Sequence, residues 1–197
     1  GSGQDFSGYN LSSLDLSGVN LNRAILHAAS LRNANLNVAI LTEANLTAAD
    51  LREADLTRAD FRSAILDEAD LRGAKLTCTN LRGADLTQAK LDDKWARIVN
   101  LLTSGDGQGQ DLSGYDLSQL GLERANLQGA NLTRANLDNA CLSNADLTAA
   151  ILTNTSLKRT DLSGAKLVNA NLSQAKLSAA SLSQTNLQGA NLSGADL

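Results

Sequence analysis

The chain has 197 residues, only 3% of them aromatic, with no Met, no Pro and a formal charge of −4. Aromatic residues and Met usually fill the irregular gaps of a conventional core. A core drawn instead from hydrophobic residues that are nearly all Leu and Ala has to be highly regular. No basic stretch points to nucleic-acid binding. No run of about 18 apolar residues would span a membrane, and the opening residues do not read as a signal peptide.

The first segment, residues 1–91, carries an apolar centre at every fifth position, from Phe6 and Leu11 to Leu91, in 18 pentads. With the centre called i, five residues advance about 500° on an α-helix, so successive leucines would share no face. On a flat strand they would alternate between faces, because five is odd. A short extended piece followed by a corner in every pentad removes the conflict. Parity then points i and i−2 inward and i−1 and i+1 outward. Position i−2 is accordingly Ala in 25 of the 36 pentads of the whole chain, while i−1 is mostly Asp or Asn and i+1 mostly Ser, Thr or Arg. Position i+2 is the corner, and nine of the fifteen glycines fall there, where φ is expected to be positive.

The second segment, residues 92–109, breaks the repeat. Trp95, Ile98, Val99 and Leu102 recur at i, i+3, i+4 and i+7, which predicts one amphipathic helix at about 93–103. Asp92 or Asp93 would serve as N-cap and Gly105 as the stop, with a Gly-rich linker through Gly109. These four apolar residues are expected to form a structural cap on an open end of the repeat, since solenoid ends expose core and strand edges.

The third segment, residues 110–197, holds another 18 pentads, from Leu112 to Leu197. It repeats the chain's own start: Gly3-Gln4-Asp5-Phe6-Ser7-Gly8-Tyr9 matches Gly109-Gln110-Asp111-Leu112-Ser113-Gly114-Tyr115, an offset of 106. The chain ends within the repeat, so end-to-end self-association is expected.

Stretches such as Ala54-Asp55-Leu56 and Ala130-Asn131-Leu132 resemble the pentapeptide-repeat family, whose consensus is A-[D/N]-L-x-x. The resemblance implies an all-β fold, a right-handed quadrilateral parallel β-helix with four pentads per coil; parity alone leaves three-sided coils open. Each run would then make about 4.5 coils, roughly 22 Å long. Some members mimic DNA and bind type II topoisomerases such as DNA gyrase, which supplies one functional alternative.

The chemistry in the sequence is sparse. His27, the sole histidine, stands at an outward i+1 position with no paired base. Cys78 and Cys141 lie 63 residues apart without metal-ligand spacing, which argues against a disulfide framework and for a reducing, cytoplasmic setting. No catalytic, cofactor-binding or metal-ligating set is expected, and the chain reads as no enzyme. Two features rise above the repeat. Arg32, Arg52 and Arg72 should stack in one column. Asp50, Glu53, Asp55, Asp60, Asp67, Glu68 and Asp70 form an acidic band, a candidate surface for a protein partner, although Arg52 beside Glu53 also suggests interleaved ion pairs. Ile25, Ile40, Ile65 and Ile151 occupy outward i−1 sites, where single exposed apolar residues need no function. The expected role is a non-enzymatic scaffold for an unidentified protein partner, with a DNA-mimicking gyrase modulator as the alternative. An ice-binding face would want regular outward Thr ranks, and the column His27, Thr47, Asp67, Thr87 is broken.

Overall fold

Every β-bridge joins two i−1 residues twenty positions apart and runs parallel, as in Asp5 to Ile25 to Asn45 to Ile65 to Asp85. Twenty residues per coil is four pentads, so the coil is four-sided and the three-sided alternative is excluded. The structure is a computed structural model that describes residues 3–96 and 98–197, and it divides into two units, Gly1–Ser104 and Gly105–Leu197. Each contains a right-handed quadrilateral parallel β-helix.

Three backbone bonds per pentad build the stack. The N–H of the centre donates to the i−1 carbonyl of the next coil, as Leu51 does to Asp70 at 2.8 Å. The corner N–H donates to the i+1 carbonyl of the next coil, as Ala48 does to Asp67 at 2.8 Å. The i−1 N–H donates back to the i−2 carbonyl of the coil before, as Asp50 does to Ala29 at 3.0 Å. Proline would remove one such donor, and the chain has none. A fourth bond, from Ala49 N–H to the Leu46 carbonyl at 3.0 Å, closes the corner itself.

The core follows the expected parity. Leu26, Leu31, Leu36, Leu41 and Leu46 are fully buried, as are Ala24, Ala29, Ala34 and Ala39 between them. Phe61 is accommodated as one wider centre, also fully buried. Buried Thr79, Thr155 and Thr160 replace Ala at i−2. Each donates its hydroxyl to a core carbonyl (Leu56, Leu132 and Leu137, at 2.7, 2.6 and 2.7 Å), so no donor is stranded.

The corners go further than the glycine pattern suggests. Among the described residues, twenty-five non-glycine residues join the corner glycines in the left-handed region, with φ from 52° to 73°. Asn and Asp tolerate this conformation, but Val38 (φ 52°) is β-branched and pays for it in strain. The corner N–H bond to the next coil holds the backbone there whatever the side chain.

The middle of the chain differs from the sequence reading in three ways. In place of one helix there are two short ones, α1 (Asp93–Ala96) and α2 (Val99–Ser104), which meet at Ile98. Ile98 N–H bonds to the Trp95 carbonyl, three residues back, at 3.1 Å. This tighter turn shifts the helical phase: Leu101 joins Trp95, Ile98 and Leu102 in burial, while Val99 is only half-buried. Asp92 does not act as a simple helix cap. Its carboxylate accepts the Gly73 N–H at 3.1 Å, a corner donor of the β-helix. Finally, residues 105–109 are not a linker. Asp106 bridges Asn126, and the Gly105 carbonyl accepts the Asn126 N–H at 2.8 Å. They form a pentad with Gly107 at its centre, which a search for apolar centres passes over.

Neither Cys78 nor Cys141 is a free thiol.

Candidate functional site

The 20-residue coil sorts outward side chains into four faces, and the acidic band 50–70 is distributed over all of them. Asp50 and Asp70 stand on the face whose i−1 column is Asn10, Ser30, Asp50, Asp70 and Lys90. Asp55 lies on the next face, between Asn35 and Lys75, and Asp60 on the one after, between Ile40 and Asn80. Asp67 and Glu68 belong to the fourth, whose i−1 column is Asp5, Ile25, Asn45, Ile65 and Asp85. Seven acids contiguous in sequence are therefore not contiguous in space.

Most of them are also neutralised. In the recurring Asp-x-Arg unit, the carboxylate at i−1 receives both the backbone N–H and the guanidinium of i+1. Arg52 bonds Asp50 at 2.6 Å, Arg62 bonds Asp60 at 2.6 Å and Arg72 bonds Asp70 at 2.6 Å. Arg52 also reaches Asp70 one coil on, at 3.8 Å. Lys75 reaches back to Asp55 at 3.4 Å. Arg32, Arg52 and Arg72 do share one column, but Arg52 pairs with Asp50 and Asp70 rather than with its neighbour Glu53, whose carboxylate folds over Gly73. That corner has no side chain to obstruct it.

The pKa directions follow these pairs. The hydrogen bond from Arg72, with the nearby Arg52 charge, holds Asp70 down at about 2, and the hydrogen bond from Arg52 lowers Asp50. A carboxyl depressed in the folded state stabilises the fold above its unfolded pKa of about 3.9, and that stabilisation disappears as pH falls towards 2. Replacing Asp70 with Asn should therefore cost about 1 kcal/mol at neutral pH, a figure reduced for solvent screening. It should cost nothing near pH 2. Denaturant midpoints of the two proteins at both pH values check this, and a difference that survives unchanged at low pH would refute it.

The fourth face has a different character. No ion pair among the described residues reaches Asp5, Asp67, Glu68 or Asp85. Asp5 and Asp85 accept bonds from Ser7 and Thr87, whereas Asp67 Oδ1 is buried without a hydrogen-bond partner. Ile25 and Ile65, 39% and 41% exposed, stand in the same column. Exposed His27 stands beside them at i+1. Treating the isoleucines as isolated exposures missed this; writing the sequence in rows of twenty would have shown it. Among the described residues no three His, Cys, Asp or Glu side chains are grouped to hold a metal ion. A groove of 480 Å³ lies at the opposite edge of this face, lined by Thr42, Glu43, Arg62, Ser63, Arg82 and Gly83. Its Glu43 is bonded to Arg23 and its Arg62 to Asp60.

A four-sided parallel β-helix built from twenty-residue coils defines a class of solenoid proteins that display fixed columns of outward side chains. Pentapeptide repeats match in eight copies, within residues 5–37, 26–58, 39–77, 54–93, 116–154, 140–178 and 165–197, and the chain belongs to the pentapeptide-repeat family. It is similar to HetL, a pentapeptide repeat protein involved in heterocyst differentiation regulation from the cyanobacterium Nostoc sp. strain PCC 7120. The identity is 33% over 98% of this chain and 89% of that one, with a TM-score of 0.43. It also resembles a pentapeptide repeat protein of the Arabidopsis thaliana thylakoid lumen, at 34% identity over 50% of this chain and 74% of that one, with a TM-score of 0.21. QnrB1, a plasmid-mediated fluoroquinolone resistance protein, aligns at 16% identity over 94% of this chain and 88% of that one, with a TM-score of 0.32. No curated protein matches the chain.

Proposed function

We propose that this protein is a non-enzymatic scaffold that presents a rigid face of its β-helix to a protein partner. The observation that carries the reading is the ladder itself, which fixes outward side chains in columns at the coil spacing of about 4.8 Å. Helices α1 and α2 act as the structural cap of the first β-helix. The Thr103 carbonyl accepts the Gly83 N–H at 2.6 Å, and Asp92 accepts that of Gly73. No helix of the described residues is long and apolar enough to cross a membrane.

The experiment is covalent capture from the source cell with a photo-crosslinker placed on each face in turn. A partner captured reproducibly from one face supports the reading; equal background from every face sinks it.

DNA mimicry is disfavoured by charge. Double-stranded DNA presents one negative charge per ~1.7 Å, so a rod of roughly 22 Å would have to imitate about 13. Residues 1–91 carry a net −2, from 9 basic and 11 acidic residues. Asp50, Asp55, Asp60 and Asp70 are already paired. A supercoiling assay with purified DNA gyrase should therefore show neither inhibition nor protection at submicromolar protein. Activity that disappears when Asp55, Asp60 and Asp70 become Asn would reverse the order of the two readings.

A further inference from the structure

We infer that the face formed by the column Asp5, Ile25, Asn45, Ile65 and Asp85, with Asp67 and Glu68 beside it, docks a protein segment that combines basic and aliphatic side chains. The inference rests on the scaffold reading and assigns it a surface and a partner chemistry.

The first observation is what the isoleucines displace. Elsewhere in the repeat an Asp or Asn at i−1 accepts the backbone N–H of i+1, as Asn45 does from Thr47 at 3.0 Å and Asp85 does from Thr87 at 3.0 Å. Such Asx turns stabilise the corner that follows. Ile25 and Ile65 forgo that bond and place an aliphatic side chain in solvent instead, at 39% and 41% exposure. Neither gain nor need is visible within the fold.

The second observation is an internal control. The offset of 106 maps this face onto its counterpart in the second β-helix, where the coils stack in the same way. There Ile25 corresponds to Asn131, Ile65 to Asn171, Asp67 to Ser173, Glu68 to Gln174 and Asp85 to Asn191. Asn131 and Asn171 make the Asx bonds that the isoleucines forgo, to the N–H of Thr133 and Ser173 at 3.1 Å each. The repeat therefore requires neither the isoleucines nor these three acids. The counterpart column carries one isoleucine of its own, Ile151 at the place of Asn45, so what sets the first copy's face apart is the pair Ile25 and Ile65 together with the three acids.

Charge selects the occupant. The face holds no lysine or arginine in its i−1 and i+1 columns, and its far corner is Gly8, Ala28, Ala48, Glu68 and Gln88. Phosphate-bearing surfaces, nucleic acid or anionic membrane, are repelled. A segment with aliphatic side chains over Ile25 and Ile65 and lysine or arginine over Asp67, Glu68 and Asp85 meets both features, the charges steering encounter and the apolar contacts holding it.

The test uses the full chain and a fluorescein-labelled peptide of alternating Lys and Leu, read by anisotropy at physiological salt. Two variants import the residues of the second copy: Ile25→Asn with Ile65→Asn, and Asp67→Ser with Glu68→Gln and Asp85→Asn. Each is expected to weaken binding at least about tenfold. Because the first pair restores Asx turns, its melting temperature should be unchanged or higher, which separates lost docking from lost folding. A control pair on other faces, Asp50→Asn with Asp60→Asn, should bind as the parent does. Parent-like binding by both face variants, or an equal loss in the control, would overturn the proposal. So would equal binding of a Lys–Ser peptide, which would leave charge alone at work. Size-exclusion with light scattering showing a dimer lost only in the face variants would assign the face to a second copy and overturn it too. If peptide binding fails while crosslinking still captures a partner elsewhere, the scaffold reading stands without this face.

Discussion

Replacing Leu56 with Ala should destabilise the first β-helix by about 2–5 kcal/mol, whereas Thr57→Ala, one residue on, should cost under about 0.5 kcal/mol. Leu56 is fully buried between Leu36 and Leu76 in its column, while Thr57 is half-buried and points outward. The large figure is the transfer of a buried side chain plus the cavity it leaves. Each coil contributes a single layer of four centres, and the backbone ladder holds the layers at fixed spacing, so the walls have little freedom to collapse. The Leu56 carbonyl also accepts the Thr79 hydroxyl at 2.7 Å, and slack in the layer would loosen that bond. Denaturant titration of the two variants reads the difference directly. Equal losses would contradict the inward and outward assignment on which the fold rests.

Val38→Gly should stabilise the protein by about 1–2 kcal/mol, an unusual direction for removing a side chain. Val38 sits at φ 52° and is 50% exposed, so it bears the cost of the left-handed conformation and returns little by burial. The same corner column supplies the reverse experiment. Gly18 has φ 64°, and a Cβ there would meet nothing within 4 Å. Gly18→Val therefore introduces backbone strain without a clash and should lose about as much as Val38→Gly gains. Thermal or chemical unfolding of both proteins measures the pair. Destabilisation by Val38→Gly would mean that chain entropy outweighs the strain at this corner.

These corners show where stacking overrides local preference. Twenty-five residues that would avoid positive φ in a short peptide adopt it here. The corner N–H has one partner available, the i+1 carbonyl of the next coil, and leaving it unmade inside the stack costs more than the strain.

The sequence by itself determined the β-helix. A leucine at every fifth residue fits neither a helix nor a strand, Ala at i−2 and polar residues at i−1 and i+1 set the parity, and the glycines marked the corners. Those signals are local and repeat, so each pentad confirms the last. The tertiary structure alone decided the rest, because it depends on which residues lie twenty apart rather than one. Twenty-residue bridges fixed the four-sided coil. The same spacing distributed the acidic band 50–70 over four faces and set Asp70 beside Arg52 and Asp55 beside Lys75, one coil apart. It also brought Ile25 and Ile65 into line with Asp67 and Asp85. The pentad centred on Gly107 escaped notice because its centre is not apolar, though its backbone bonds are those of its neighbours. At Ile98 a tight turn split the expected helix and set Leu101 in place of Val99, since there the burial of apolar side chains governs the backbone more than helical period does.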